Sequence, residues 1–177
     1  MWKWLVILFW SGGALAAHPN FLLPFISGDQ RWPTQLELRQ TGAWLECSED
    51  IFVTSWCGDE FNYYTLKVWP EATGEREGEI QTFTLHSSYS TNDWSLFQLN
   101  LRKDGFQLQS IQLGEELFSI RDRLKSASTR EVDKALVLFI NRHAQSFPKI
   151  LDWQKDNVLA QLVTDGKNVD VQFTRSE

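Results

Sequence analysis

Histidine occurs three times in the 177 residues and cysteine twice. So small a stock narrows the chemistry, because general-base catalysis near neutral pH draws most often on histidine. A four-ligand zinc site would need two ligands beyond Cys47 and Cys57. Motifs that carry a fixed mechanism are missing as well: there is no Gly-x-Ser-x-Gly elbow, no His-Glu-x-x-His and no glycine-rich phosphate loop ending in Lys-Ser/Thr. Nothing in the pattern calls for a cofactor. Bases are outnumbered, 17 Lys and Arg against 23 Asp and Glu, which speaks against nucleic acid or an anionic membrane surface as a partner.

The single long apolar run lies at residues 4–10, too short for the roughly 20 residues that cross a hydrocarbon layer. Lys3 precedes it, Ser11-Gly12-Gly13 loosens it, and Ala14-Leu15-Ala16-Ala17 follows. That order is a secretory signal peptide over residues 1–17, cut after Ala16 or Ala17. The expectation is an extracytoplasmic chain, periplasmic or secreted, with no stable membrane insertion once cut. Residues 18–177 are then read as one domain, with six tryptophans and eleven phenylalanines to fill its core.

In an oxidising compartment two cysteines ten positions apart predict a Cys47–Cys57 disulfide. Closing so short a loop stabilises by roughly 2–3 kcal/mol in the chain-entropy model.

Apolar alternation at residues 35–40 reads as a half-buried strand, and the β-branched and aromatic runs at 51–57 and 61–69 read as two more, the second stopped by Pro70. An exposed loop at 70–78, a strand at 80–85 and a polar loop at 86–93 complete this half. Asp104-Gly105 predicts a hairpin joining strands at 96–102 and 106–113, with a bulge near Ser110. Residues 114–125 have the spacing of a short helix. Ser128 and Glu131 form a capping box ahead of Val132, Ala135, Leu136, Phe139, Ile140 and His143, which predicts an amphipathic helix over 129–146. A last hairpin turning at Asp165-Gly166 sets Leu162 opposite Val169, Ala160 opposite Val171 and Val158 opposite Phe173. The fold class is α+β: an antiparallel sheet of about six to eight strands, one long helix packed on it and a C-terminal β-hairpin.

Acids crowd the predicted disulfide at Glu46, Glu49, Asp50, Asp59 and Glu60, with Trp44, Trp56 and Trp69 interleaved. Residues 18–100 hold 12 acids and 4 bases, whereas 101–177 hold 11 and 12. Glu49, Asp50, Asp59, Glu60 and Trp56 are therefore candidates for an acidic, disulfide-braced surface that binds a basic protein, in an exported inhibitor, immunity protein or envelope adaptor. Two alternatives stand beside this non-enzymatic reading. One is a small hydrolase or transferase using His86 or His143 with a carboxylate brought near in space. The other is a carrier enclosing an apolar ligand. His18, exposed as an N-terminal residue by a cut after Ala17, has an amine and imidazole able to chelate copper, but no ligand cluster supports it. The acids do not follow the spacing of a calcium loop.

Overall fold

Apolar residues fall at every second position along 66–72, 158–162 and 169–173, and each run is a strand with one face buried and the other open. The computed structural model describes residues 19–48, 52–75 and 78–176. In chain order these form α1 (Leu23–Ile26), α2 (Gln35–Gln40), β1 (Trp44–Glu46), β2 (Val53–Gly58), β3 (Phe61–Tyr63), β4 (Leu66–Glu75) and β5 (Ile80–Ser88). Then follow α3 (Thr91–Lys103), β6 (Gln107–Leu113), β7 (Glu116–Ser119), α4 (Ile120–Arg123), α5 (Thr129–Arg142), β8 (Lys149–Lys155), β9 (Val158–Thr164) and β10 (Asn168–Arg175).

The protein is α+β, with an open antiparallel sheet ordered β1-β2-β4-β5-β10-β9-β8-β6-β7 and β3 adding a short ladder to β4. Its ten strands exceed the six to eight expected, β8 being one of the additions. Side chains alternate across the sheet in complete rows. One inner row runs Pro70, Leu85, Val171, Leu162, Leu151, Ile111, Phe118, all buried. The adjacent outer row runs Cys57, Glu71, Thr84, Gln172, Gln161, Asp152, Ser110, Ser119, all at least partly exposed. The inner face is covered by α3, which buries Trp94, Phe97, Asn100 and Leu101 at helical spacing. Phe25 stacks on Phe83 at 4.0 Å between centroids, and Phe83 meets Phe173 at 6.1 Å, so rings fill the centre of the core. At about 2–3 kcal/mol per fully buried large apolar side chain, this layer is the main stabilising one.

Several expectations are corrected. Residues 35–40 are a helix, because Thr34 and Glu37 form a capping box: Thr34 Oγ1 accepts from the Glu37 N–H and the Thr34 N–H donates to Glu37 Oε2 at 2.7 Å. Pro70 does not stop its strand, and β4 runs on to Glu75 where a loop was expected. The ladder to β2 ends at Cys57–Glu71 and that to β3 begins at Phe61–Val68, so Pro70 lies where four steps on one side span three on the other and no amide is required of it. The polar stretch 86–93 is the end of β5 and the start of α3, whose N-cap is Ser90 accepting from the Asp93 N–H. Residues 96–102 are thus helix, not strand. Asp104-Gly105 ends that helix: the Gly105 N–H donates to Arg102 O, the Phe106 N–H to Leu101 O, and Gly105 has φ of 92°.

The bulge near Ser110 is present, a register shift between Leu108 and Ser110 against β8. Residues 114–125 form a turn, β7 and the single-turn α4 in place of one short helix. α5 has the expected capping box but ends at Arg142, with His143 as its C-cap. It lies at the β7 end of the inner face, Phe139 reaching Phe118 at 5.3 Å, so two long helices cover the sheet instead of one. In the last hairpin the apolar face is as expected but the register is two residues away: Val171 faces Leu162 and Phe173 faces Ala160. The turn is centred on Gly166-Lys167 because Asp165 Oδ1 accepts from the Lys167 and Asn168 amides. Among the described residues, no helix is long and apolar enough to cross a membrane.

Candidate functional site

Cys47 and Cys57 are bonded, joining the chain just past β1 to β2 with their Cα atoms 5.9 Å apart. A second tie lies across the strands. Gln35, on the buried side of α2, donates from Nε2 to the Glu75 carbonyl of β4 and accepts at Oε1 from the Trp56 indole of β2 at 3.4 Å. α2 is held at its own start by a bidentate Arg31–Glu37 pair, at 2.9 and 2.6 Å. The Arg31 guanidinium, helped by the Thr34 amide, holds the Glu37 carboxyl down to about 2.

These ties shape an open groove of about 500 Å³ between α2 and the β1–β2 edge, walled by Leu36, Arg39, Glu46, Thr54, Trp56 and Glu79. Trp56 is 7% exposed and forms its floor, a buried ring rather than a projecting one. Leu36 stands out beside it at 62% exposure, while Leu45, 74% exposed, is on the other face of β1, opposite Cys57. The edge thus combines exposed aliphatic surface with carboxylates on a braced frame, a combination suited to gripping an apolar and basic segment of a partner.

The acids expected to act together are divided. Glu46 lines this groove, whereas Asp59 and Glu60 follow the other end of β2. There Glu60 pairs with Lys67 at 3.1 Å and both border a separate depression of about 410 Å³ with Trp69, Ser88 and Asp93. Glu49 and Asp50 lie outside the described residues, as do residues 1–17 and His18.

His86 has the environment that sequence order hides. It points outward from β5, with Nδ1 at 2.8 Å from Asp170 Oδ1 of β10 and Nε2 at 3.1 Å from Glu71 Oε2 of β4. Asp170 first, then Glu71, raise its pKa above the ordinary histidine value against the opposing effect of burial. These partners are 84 and 15 residues away, and only the outward parity of Asp170 in an alternating strand hinted at one of them. With both ring nitrogens held by carboxylates, neither is free to take a proton from a substrate. Among the described residues no group of three or more His, Cys, Asp or Glu is placed to hold a metal. His143 contacts the Phe139 ring at 4.9 Å. The space between the sheet and α3 is filled by Phe83, Phe97, Leu101 and Phe173, each fully buried, where a carrier would keep room for a ligand.

The site belongs to a class defined by geometry: a braced sheet edge with a shallow, partly acidic groove. Comparison with protein-family models, with curated proteins and with solved structures gives no match.

Proposed function

We propose that the chain is an exported, non-enzymatic binding protein that recognises a basic protein partner through the disulfide-braced edge around β1 and β2, as an inhibitor, immunity protein or envelope adaptor does. The observation that carries this reading is the α2–β1–β2 groove, where exposed Leu36 stands beside Glu46 and Glu79 on a frame stapled by Cys47–Cys57. Aliphatic contact supplies affinity there, and the carboxylates supply steering and the choice of a cationic partner. The clamped state of His86 favours binding over catalysis.

The test measures association rates with two probes, a peptide of alternating lysine and leucine and a globular protein of high isoelectric point, at low and at physiological salt. The on-rate falls as salt rises, because steering is screened beyond about 8 Å at physiological ionic strength. Glu46→Gln/Glu79→Gln slows association several-fold, and Asp59→Asn/Glu60→Gln, at the other end of β2, slows it less. Circular dichroism checks that each variant is folded. On-rates at low salt that match wild type in all variants would return these acids to a role in solubility alone.

A further inference from the structure

α5 is more regularly amphipathic than α3, yet Val132 is its single buried residue. Val137, Leu138 and Ile140 are 56%, 58% and 40% exposed, and Leu124, just past α4, is 45% exposed. At 100° per residue Val132, Leu136 and Phe139 share the side that meets the core, and Val137 and Leu138 lie on the other side with Arg130 and Lys134 between them. Val137 and Ile140, with Asp133 between them, thus flank the two bases on one side and Leu138 flanks them on the other, so that three exposed aliphatic side chains border a basic stripe.

The charge around it is positive. Residues 121–142 hold six bases and three acids. Two of those acids are occupied locally: Glu131 caps Ser128 through its amide and hydroxyl, and Asp122 is bound by Ser119 and Lys125. Arg130, Lys134 and Arg142 have no ion-pair partner among the described residues, whereas Arg123 lies over the Phe118 ring at 4.2 Å and Arg121 lines the outer face of the sheet with Ser110 and Asp152. The net negative charge of the chain does not cancel this field, since 12 of its acids fall in residues 18–100 and the candidate acidic groove is at the β1 edge, the opposite end of the sheet from β7. Neither depression described above is lined by α5, and its exposed face has no tryptophan or tyrosine, the anchors favoured where proteins grip proteins.

We propose that the α4–α5 face is a peripheral contact surface for an anionic lipid bilayer. Val137, Leu138 and Ile140 enter the boundary between headgroups and acyl chains, and the unpaired bases meet lipid phosphates. The contact is superficial and reversible, one helix lying in the interface.

Co-sedimentation of the full chain with phosphatidylcholine vesicles, with and without phosphatidylglycerol, tests this. Because residues 4–10 are themselves apolar, the variants and not wild-type binding alone report on α5. Binding to the anionic vesicles is expected to fall with added salt and to drop about fivefold for each base removed in Arg130→Gln/Lys134→Gln. Val137→Ser/Leu138→Ser is expected to weaken it by about tenfold or more through lost apolar burial. All four positions are exposed, and helical content read by circular dichroism confirms that the variants fold. Equal binding by wild type and both variants would overturn the proposal, as would no binding to either vesicle. So would binding to soluble polyglutamate without vesicle binding, or self-association that Val137→Ser/Leu138→Ser abolishes, assigning the face to an acidic protein or to a second copy.

Discussion

α3 and α5 have nearly the same length, 13 and 14 residues, and opposite characters. α3 buries four side chains in the centre of the sheet, although residues 96–102 look like a strand in sequence. α5 has the cleaner helical period and buries one. Regular amphipathicity therefore records that a segment has an apolar side, not that the fold covers it. Two of the four residues that anchor α3, Trp94 and Phe97, are aromatic, and their weight per position outdoes periodicity.

The largest test of that contrast is Phe97→Ala. Phe97 is fully buried against Tyr63, so the substitution should lower unfolding free energy by about 3–5 kcal/mol in denaturant titration, as cavities at buried rings do. Next is Cys47→Ser/Cys57→Ser, which should cost roughly 2–3 kcal/mol by releasing the loop in the unfolded chain. A still greater loss would mean that the β1 edge belongs to the same cooperative unit as α3. The N-caps allow a matched pair: Ser90→Ala should cost about 1 kcal/mol of global stability, whereas Ser128→Ala should show mainly as faster amide exchange within α5.

A subtler effect belongs to His86. Its folded pKa is raised above its unfolded value, so the stabilisation is complete below the unfolded pKa and disappears as pH rises through the folded one. Relative to His86→Gln, wild type should lose stability as pH rises from below the ordinary histidine pKa to above the raised one. Equal pH profiles would show that the two carboxylates do not hold the imidazolium. The smallest effect is that of Leu138→Ser on α5, which should change stability by no more than about 0.5 kcal/mol. A loss approaching that of Phe97→Ala would erase the contrast between the helices.

Legibility in the sequence followed the range of the interactions. The disulfide, the capping box of α5 and the apolar face of β9–β10 are all set within about twenty residues and are readable, and the bulge, although it forms against β8 more than forty residues on, shows locally as a break in apolar parity. α2 and α3 also carried local signals, Thr34-x-x-Glu37 and Ser90-x-x-Asp93, but strand-like alternation in the first and aromatic content in the second competed with them. Pro70 misled because its lack of an amide matters only against a neighbouring ladder, and the irregular pairing of β2 and β3 leaves none to satisfy. At the candidate site the acids were legible as types but not as groups. Which of them share a groove depends on where β2 begins and ends, and the His86 partners depend on pairing between strands far apart in the chain.

The place of β10 has a further consequence, in the order of events as the chain is made. One sequence of neighbours, β1-β2-β4-β5, and another, β9-β8-β6-β7, have β10 as the strand hydrogen-bonded to both. β5 therefore waits with an open edge from the time residue 88 is made until residue 175 has followed. Through that interval the chain contains strands that can pair locally but no complete sheet, and machinery that handles unfolded polypeptide has about half the time of synthesis in which to act on that open edge. Completion of the sheet then depends on β5 meeting a strand that begins 80 residues beyond its own end, a long-range closure of the kind that makes folding slow.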